Sequence, residues 1–332
     1  MLSLAQSKLT PLFQAPPRTR RLVVIEAGDA GPLLRRIAAM PGRAIDIARV
    51  VDVSNDHVIE GIASLLEPNV LKEDRIWAIV FSAGAVPRIP LNLLLRCRLD
   101  GTRLLTEANF WEEEASWIDV DSRDPGWLLG GNGFKSGWHT ELATRILDLL
   151  TATALLILTL PVMLIVALLI KLDSRGPVFY RQERIGLGGK VFMLNKFRSM
   201  SCDAEVEGPR WAQIGDPRVT RVGRIIRLTR IDELPQLLNV LHGEMCMVGP
   251  RPERPYFVEQ LSASLPFYAV RHYVKPGITG WAQVNAPYTA SIEDTREKLR
   301  YDLYYIKHRT IGLYVRVLLQ TIRVVVCGEG AR

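Results

Sequence analysis

The sequence Ile231-Asp232-Glu233-Leu234-Pro235-Gln236-Leu237 places two adjacent carboxylates immediately before an apolar stretch. Pro235 fits the first turn of an α-helix and fits badly in any later turn, so a helix is predicted to begin here. Asp232 is then a candidate N-cap that faces the positive end of the helix dipole. A structural interpretation, in which a cap is followed by a solvated first-turn acid, therefore competes with a functional one.

Cationic residues surround this acidic pair in the sequence and favour the functional interpretation. Carboxylates among arginines suit a site that handles phosphate groups together with a divalent metal. The cations are Lys196, Arg198, Arg221, Arg224, Arg227 and Arg230 before the pair, and Arg251 and Arg254 after it.

Length, charge and cysteine content narrow the classes of function. A chain of 332 residues is expected to form two domains. Residues 145–332 carry 26 Lys and Arg against 17 Asp and Glu, whereas residues 1–144 carry 16 against 18. The basic half also holds the most apolar segment, which favours anionic lipid or a phosphorylated substrate, and no nucleic acid is expected. The four cysteines are widely spaced, which indicates a reducing compartment.

The first half of the chain predicts a small α/β domain. Residues 1–19 lack the apolar core of a signal peptide and are expected to form a flexible leader. Residues 20–110 alternate strand-like and amphipathic stretches, which is typical of a parallel, Rossmann-like unit. Its first turn contains Gly28 and Gly31, but Glu26 replaces the leading glycine of a dinucleotide-binding turn. Because a carboxylate there would repel a pyrophosphate, this degenerate domain is predicted to be structural or regulatory.

A connector over residues 111–140 leads to Leu149–Ile170, a segment without a charged residue. The segment is long enough for a membrane-spanning helix, which needs about 20 residues. Pro161 removes one backbone donor from its middle and suggests a break. The segment either spans the membrane as a kinked helix or forms a re-entrant hairpin over residues 145–172. The hairpin is favoured because both flanks are expected to be cytoplasmic.

Two further stretches predict amphipathic helices at the membrane surface. In Arg218–Leu228, apolar residues recur at helical spacing between arginines. A helix packed on a globular core with a solvated basic face explains the same pattern. Leu313–Cys327 is apolar with single arginines at Arg316 and Arg323, whose long side chains suit an interfacial position.

Several motifs occur in one order along residues 141–327, and together they resemble the bacterial sugar transferase family, the monotopic polyprenyl-phosphate phosphoglycosyl transferases. The resemblance implies a mostly α, membrane-embedded catalytic domain over residues 141–332, with a re-entrant helix and interfacial amphipathic helices. The N-terminal part resembles the soluble α/β domain of longer members, without the four membrane helices that those members usually carry. The motifs are the proline-interrupted apolar segment, Lys196-Phe197-Arg198-Ser199-Met200, Asp232–Leu237, Val248-Gly249-Pro250-Arg251-Pro252, the Pro276–Val284 loop, and Asp302 before paired tyrosines.

The resemblance also implies an activity. Family members move a sugar 1-phosphate from a UDP-sugar to undecaprenyl phosphate and release UMP. This step initiates exopolysaccharide or related glycan assembly at the cytoplasmic face of the bacterial inner membrane. Mg²⁺ is the implied cofactor, inner-membrane lipid is an implied partner, and a homodimer is left open. Two other classes remain as alternatives: a membrane scaffold with a decayed catalytic half, and a nucleotide-sugar diphosphate hydrolase.

Residue roles follow from motif position. Asp232 is implied as the nucleophile that forms an aspartyl phosphosugar intermediate. Asp232 and Glu233 are candidate metal ligands, and Glu233 is also a candidate acid or base. Pro161 is the predicted break of the hairpin. The candidate phosphate- and substrate-binding residues are Lys196, Arg198, Arg227, Arg251, Arg254, Gln283 and Asp302.

The chain also departs from the family's pattern, and one departure puts the identity of the sugar donor in doubt. An arginine that usually follows Asn285 is missing. If that arginine contacts the nucleotide, either Arg254 or Arg271 must substitute or the donor differs. The departures are Glu244 and Cys246 in place of Asp and Ser, Arg230 in place of a small residue, and Ala286-Pro287 in place of Gly-Arg.

Overall fold

The chain forms two compact units in a computed structural model. The first unit contains the described residues up to 115 together with residue 121, and the second contains residues 116–120 and those from 133 onward. The predicted leader, except Thr19, lies outside the described residues, as do residues 122–132 of the predicted connector. The structure describes residues 19–28, 31–38, 45–54, 56–82, 84–121, 133–204, 208, 215–286 and 291–327.

The first unit is a parallel α/β sheet, as predicted. Its strands lie in the order β2-β1-β3-β4 and all pair in parallel. The central strand is apolar from Leu22 to Ile25 and almost fully buried, as expected for a parallel strand covered on both faces. The elements are β1 (Arg20–Glu26), α1 (Gly31–Ala38), β2 (Ile45–Asp52), α2 (Asp56–Leu65), α3 (Pro68–Glu73), β3 (Ile76–Phe81), α4 (Leu91–Leu99), β4 (Arg103–Thr106) and α5 (Glu107–Ala115).

The turn after β1 is held by local contacts. Gly28 has a φ of +122°, a conformation that favours glycine, and its N–H donates to Asp52 Oδ1 at 3.3 Å. The Glu26 side chain is buried at the end of β1, where the sequence comparison with dinucleotide-binding turns expects a glycine. Residues 29 and 30 of this turn lie outside the described part.

The second unit is mostly helical, with one antiparallel hairpin and one short parallel ladder. In the hairpin, β5 and β6 pair from Phe179 opposite Phe197 to Ile185 opposite Val191. The parallel ladder joins β7 and β8. The elements are α6 (Trp138–Asp173), β5 (Phe179–Ile185), β6 (Val191–Phe197), α7 (Arg221–Leu228), α8 (Gln236–His242), β7 (Cys246–Val248), α9 (Pro255–Ser264), β8 (Gly277–Thr279), α10 (Trp281–Asn285), α11 (Ile292–Lys307) and α12 (Ile311–Cys327).

Helix α6 has one buried face and is otherwise covered with exposed apolar side chains. Only 17% of its most apolar 18-residue window is buried, which distinguishes it from the core helix of a soluble protein. Within the described residues it is the one helix long and apolar enough to cross a membrane. Its buried residues recur at helical spacing and therefore share one face; they are Asp148, Ala152, Met163, Val166 and Ile170.

The sequence predicts a break at Pro161, whereas α6 continues through the proline for all of its 36 residues. A proline inside a helix costs one backbone hydrogen bond, and apolar helices tolerate this loss where neighbouring groups compensate. The nearby hydroxyl of Thr159 donates to the carbonyl of Leu155 at 2.7 Å. The predicted pair of helical segments is therefore a single helix.

The N-terminal end of α6 is tied to the rest of its unit by two polar side chains. Arg145 donates to the carbonyl of Val240, at the end of α8, at 2.7 Å. The buried carboxylate of Asp148 accepts hydrogen bonds from the N–H of Met247 at 2.7 Å and from the Tyr314 hydroxyl at 2.6 Å. One carboxylate thus joins α6 to β7 and to α12.

The C-terminal end of α6 is tied to the same unit. Asp173 accepts a hydrogen bond from the N–H of Val222, in the first turn of α7, at 3.1 Å. Arg198 donates to the carbonyl and hydroxyl of Ser174 at 2.8 and 2.9 Å. Both ends of the apolar helix therefore contact one compact unit.

The two predicted amphipathic helices are present, and α7 lies on a core, as one of its two interpretations predicts; a membrane-surface position stays a prediction for both. Ile226 of α7 packs against α6 and is 2% exposed, so the helix does lie on a core. Ile225 on the same helix is 62% exposed. Helix α12 buries Tyr314 and Val317, and it exposes a row of apolar side chains: Ile311, Val315, Leu319, Ile322 and Val325.

Two glycines allow the backbone just after β7 to approach β8 unusually closely: Gly249 follows β7, and Gly277 is the first residue of β8. A Cβ atom on Gly277 would lie 2.1 Å from the nitrogen of Gly249, so a side chain does not fit. The N–H of Gly277 donates to the carbonyl of Pro250 at 3.0 Å. Arg251, which follows Pro250, thereby lies beside the acidic pair.

Candidate active site

The acidic pair lies in a single 3₁₀ turn, Ile231–Glu233, directly before α8. Asp232 and Glu233 are 7% and 9% exposed. The helix begins at Gln236 after Pro235, close to the predicted start, but no side chain caps it. The interpretation of Asp232 as the N-cap and Glu233 as a solvated acid is therefore wrong. Two carboxylates are instead buried side by side.

Glu233 is held by three cationic side chains. Arg251 donates from both terminal nitrogens to the two carboxylate oxygens, at 3.2 and 2.6 Å. The Lys196 Nζ lies 3.7 Å from Glu233 Oε1, and an Arg230 terminal nitrogen lies 3.5 Å from it. A two-pronged Arg–carboxylate pair of this kind fixes orientation as well as charge.

Burial and charge act in opposite directions on this cluster. Burial disfavours the ionised form of Glu233, but Arg251 and Lys196 outweigh it and hold the pKa of Glu233 below its ordinary value. Burial lowers the pKa of Lys196, while the charge of Glu233 counteracts that shift. Glu233 is therefore ionised at neutral pH and carries no proton to donate.

Asp232 is in a different state. Its carboxylate accepts no hydrogen bond from the described part of the chain, although Lys196, Arg251 and Arg227 attract it electrostatically. Burial raises the pKa of Asp232 to about 6, and the neighbouring Glu233 charge adds to the rise. Adjacent carboxylates with pKa values pushed apart commonly divide two chemical roles between them.

Asn239 aligns the acidic turn with the strand that carries Lys196. This side chain is fully buried on α8, donates to the carbonyl of Met193 at 2.8 Å and accepts from the N–H of Asn195 at 3.1 Å. Its amide also donates to Glu244 at 2.6 Å. Glu244, one of the departures from the family pattern, thus helps to orient a buried amide.

The loop that carries Arg251 is supported by two further arginines. Arg184 on β5 donates to the carbonyl of Pro252 at 2.8 Å. The buried Arg271 donates to the carbonyl of Arg251 at 2.9 Å and to Asp302 at 2.8 Å. A third bond from Arg271 reaches the Tyr268 hydroxyl at 2.6 Å. Arg271 therefore positions the loop and is not free to substitute for a nucleotide-binding arginine.

A family profile described as bacterial sugar transferase matches residues 139–328, more than half of the chain. The chain belongs to the bacterial sugar transferase family. All of the residues that contact Glu233 fall inside the matched region.

Named relatives share the same region. The chain is 50% identical over 188 residues to a UDP-N-acetylgalactosamine-undecaprenyl-phosphate N-acetylgalactosaminephosphotransferase from Aeromonas hydrophila, covering 57% of this chain and 44% of that protein. It is 44% identical over 184 residues to a UDP-glucose:undecaprenyl-phosphate glucose-1-phosphate transferase from Caulobacter vibrioides, covering 55% and 69%. The Escherichia coli protein of the same name is 42% identical over 184 residues, covering 55% and 40%. The chain thus spans less than half of two of these relatives.

The structure brings some of the predicted site residues together and separates others. Lys196 and Arg251 contact Glu233, and Arg227 acts on Asp232 through its charge. Arg198 instead holds the end of α6. Asp302 is buried behind Arg251 and is paired with Arg271.

Two predicted residues lie near the Arg251 loop. Arg254 precedes α9, and its guanidinium lies 5.9 Å from the ring centre of Phe257. Gln283 donates to the carbonyl of Ile278 at 3.0 Å, while its buried Oε1 has no hydrogen-bond donor within the described residues. Ala286 ends α10, and Pro287 lies outside the described residues.

No sequence signal pointed to Arg184 and Asn239, which belong to stretches without a chemical motif. Arg230 was predicted among the cations before the acidic pair and as a departure from the family pattern, but not as a contact of Glu233. It has a φ of +61°, a backbone conformation that glycine adopts most easily, which explains why a small residue is common there. Its guanidinium compensates by reaching Glu233.

The donor chemistry of the acidic pair fits Mg²⁺. No group of three or more metal-binding side chains exists in the part of the chain that the structure describes. Mg²⁺, however, is often held by one or two carboxylates together with substrate phosphates. Asp232 is the better ligand because its oxygens accept no hydrogen bond in the described part, whereas Glu233 is engaged by Arg251.

Asp302→Leu is expected to lower the free energy of unfolding by about 3–5 kcal/mol, because it leaves the buried Arg271 cation without its partner. The double variant Arg271→Met/Asp302→Leu should recover most of this loss, since a buried pair replaced by apolar groups is often tolerated. Denaturant unfolding in detergent measures both effects.

The double variant also separates stability from positioning. It should fold yet remain impaired in activity, because the bond from Arg271 to the Arg251 carbonyl is gone. Full activity in a stable double variant would show that Arg271 does not position the loop.

Proposed function

We propose that this chain transfers a sugar 1-phosphate from a UDP-sugar to undecaprenyl phosphate and releases UMP, as an initiating step of exopolysaccharide or related glycan assembly. The observation that carries the proposal is the pair of buried carboxylates in opposite states. Glu233 is saturated with cations, and Asp232 accepts no hydrogen bond within the described part of the chain. The names of the Aeromonas, Caulobacter and Escherichia relatives support the reaction class.

In the proposed first step, an oxygen of Asp232 attacks the sugar-proximal phosphorus of the UDP-sugar. A bond forms between that oxygen and phosphorus, and the bond from phosphorus to the bridging oxygen breaks. UMP leaves with the electron pair, and the sugar 1-phosphate remains on Asp232 as an acyl phosphate. A carboxylate that accepts no hydrogen bond within the described part of the chain suits this role because little must be broken to free it.

In the second step, a phosphate oxygen of undecaprenyl phosphate attacks the same phosphorus. The Asp232 carboxylate is the leaving group and is regenerated, and the product is an undecaprenyl diphosphate sugar. Two displacements replace one difficult one, which is the usual gain of covalent catalysis. A basic, apolar setting favours a lipid phosphate over water as the acceptor.

The cations of the site serve the phosphates in this proposal. Arg251 and Lys196 are oriented by Glu233, so their positive charges are held in place for the phosphates before substrate binds. Glu233 is thus a positioning residue rather than an acid, because its lowered pKa keeps it ionised. Mg²⁺, held by Asp232 with the substrate phosphates, would supply charge neutralisation of the diphosphate.

Asp232→Asn is expected to abolish turnover, with a loss on the order of a thousandfold or more, or about 4 kcal/mol in the barrier. Brief exposure of the wild-type protein to UDP-sugar and Mg²⁺ should add the mass of one phosphosugar, and Asp232→Asn should show no adduct. Intact-protein mass spectrometry makes this measurement, across a panel of UDP-sugars.

Glu233→Gln is the matched control, since it makes the same chemical change at the neighbouring position. It should impair turnover by loosening Arg251 while still permitting an adduct on Asp232. UMP release without undecaprenyl phosphate should stop at one equivalent; repeated release would indicate a hydrolase. An active enzyme that never forms an adduct would indicate direct transfer.

The acid limit of activity is predicted from the raised pKa of Asp232. Only the ionised carboxylate attacks, and its population falls as the pH drops through about 6 rather than through the usual range near 4. The profile of kcat/KM against pH should therefore bend near pH 6 and fall tenfold per unit below it. If kcat/KM instead begins to fall only near pH 4, the assigned environment of Asp232 is wrong.

The proposal includes a membrane topology in which both ends of α6 lie on the cytoplasmic face. Straight passage through Leu149–Ile170 covers about 33 Å at 1.5 Å per residue, close to the hydrocarbon thickness. A spanning helix would therefore place its ends on opposite sides. The hydrogen bonds of Asp148 and of Asp173 to the same compact unit support the one-sided arrangement.

Cysteine labelling tests this topology. In a background without the native cysteines, Thr140→Cys and Arg175→Cys should both resist an impermeant thiol reagent applied outside intact cells. Both should react after the cells are lysed, which controls for accessibility. Labelling of only one position in intact cells would establish a span.

A further inference from the structure

A cavity in the second unit, separate from the acidic pair, lies at the N-terminal end of α6. It has a volume of about 320 Å³, within the range of small-ligand sites, and none of the residues that contact Glu233 line it. Its walls come from the first turns of α6, from β7, from the loop before β8 and from the junction between α11 and α12. The proposed reaction makes no use of it.

Three cationic side chains line this cavity: Arg145, Lys275 and Arg309. Arg145 and Lys275 converge on Gly243, where a Cβ atom would lie 3.5 Å from Arg145 Nη2 and 3.7 Å from Lys275 Nζ. Arg145 donates two hydrogen bonds to carbonyls at the end of α8, those of Val240 and Leu241.

The other two cations have donors without acceptors. The ammonium group of Lys275 makes no hydrogen bond or ion pair within the described part of the chain. The Arg309 Nε is buried and likewise has no acceptor among the described residues. A terminal nitrogen of Arg309 comes no closer than 3.7 Å to Glu141. Buried donors normally have partners, so the Arg309 Nε is an exception. The Lys275 side chain is half-buried, and its ammonium is left to bind an acceptor from outside the chain.

The two carboxylates of the cavity offset its three cations only in part, since Asp148 attracts Arg145 and Lys275 through its charge but forms no ion pair with either. Asp148 is committed to the N–H of Met247 and the hydroxyl of Tyr314. The side chain of Glu141 is 61% exposed, and an exposed ion pair is worth little. Unused positive charge therefore remains inside the cavity.

We infer that this cavity binds a phosphate-bearing anion through Lys275 and Arg309, with Arg145 adding charge. A phosphate group supplies several strong acceptor oxygens to separate donors at once, and Arg and Lys are the residues that recognise it. The chemistry fits either the headgroup of an anionic phospholipid or a soluble phosphate ester.

Flanking residues favour the lipid headgroup as the source. Exposed apolar side chains lie within two residues of cavity-lining residues on both helices that border the cavity, Ile146 and Leu150 on α6 and Ile311 and Val315 on α12. With these side chains in the acyl region of a membrane, the cavity lies at headgroup depth. This choice of source rests on the proposed membrane attachment, whereas the phosphate site itself does not.

Native mass spectrometry of the full chain in phosphate-free mixed micelles tests the site. The probes are phosphatidylglycerol and, separately, sn-glycerol 3-phosphate, with phosphatidylcholine as the background lipid. The double variant Lys275→Gln/Arg309→Gln should bind phosphatidylglycerol at least tenfold more weakly than the wild type, a change of about 1.4 kcal/mol. Lys190→Gln removes one exposed cation outside the cavity and should match the wild type.

Two comparisons keep the result interpretable. Lys275→Arg/Arg309→Lys retains both charges and should retain binding, and its unfolding midpoint shows whether substitution alone harms the fold. Variant-sensitive binding of sn-glycerol 3-phosphate without retention of phosphatidylglycerol would support the phosphate site and assign a soluble ester. Equal binding by wild type and double variant, or no binding of either probe to wild type, would overturn the inference. The readout is binding, so it stands apart from the UMP-release assay.

Discussion

The two-pronged bond between Arg251 and Glu233 is the interaction on which the rest of the site depends. It joins the loop after β7 to the turn before α8, and it neutralises a carboxylate that burial alone would protonate. Once Glu233 is satisfied, Lys196 is drawn to the same point, and the adjacent Asp232 keeps its oxygens free of hydrogen bonds from the described residues. A buried carboxylate in that state is expensive for the fold, and it is useful only if chemistry occurs there.

Support for this bond comes from groups that never touch it. Arg271 holds the Arg251 carbonyl and is itself anchored by Asp302, so a residue on α11 controls the loop through one buried cation. Asn239 plays the equivalent part on the other side by tying α8 to β6. These supporting contacts explain why two adjacent acids in the sequence take up defined positions. The residues around them are themselves held by hydrogen bonds.

The long apolar helix is integrated by the same means. Its sequence is typical of a membrane segment. Near its two ends, however, Asp148 and Asp173 accept hydrogen bonds from backbone N–H groups elsewhere in the unit. Polar contacts at both ends hold one face of the helix on the core, while the opposite face stays apolar and exposed. A cavity lined by three cations lies beside Asp148 at this junction.

The sequence by itself determined the parallel α/β unit, the long apolar segment, the helix start next to Pro235 and the family, because these depend on local periodicity, proline geometry and ordered motifs. It also selected Asp232, Glu233, Lys196 and Arg251 as candidate site residues, and the structure brings these four together. The tertiary structure alone decided which acid is held and which is free, since that depends on Arg251, which lies 18 residues beyond Glu233. It likewise assigned Asp302 to a buried pair and carried α6 through Pro161, because long-range packing overrides a local helix-breaking signal.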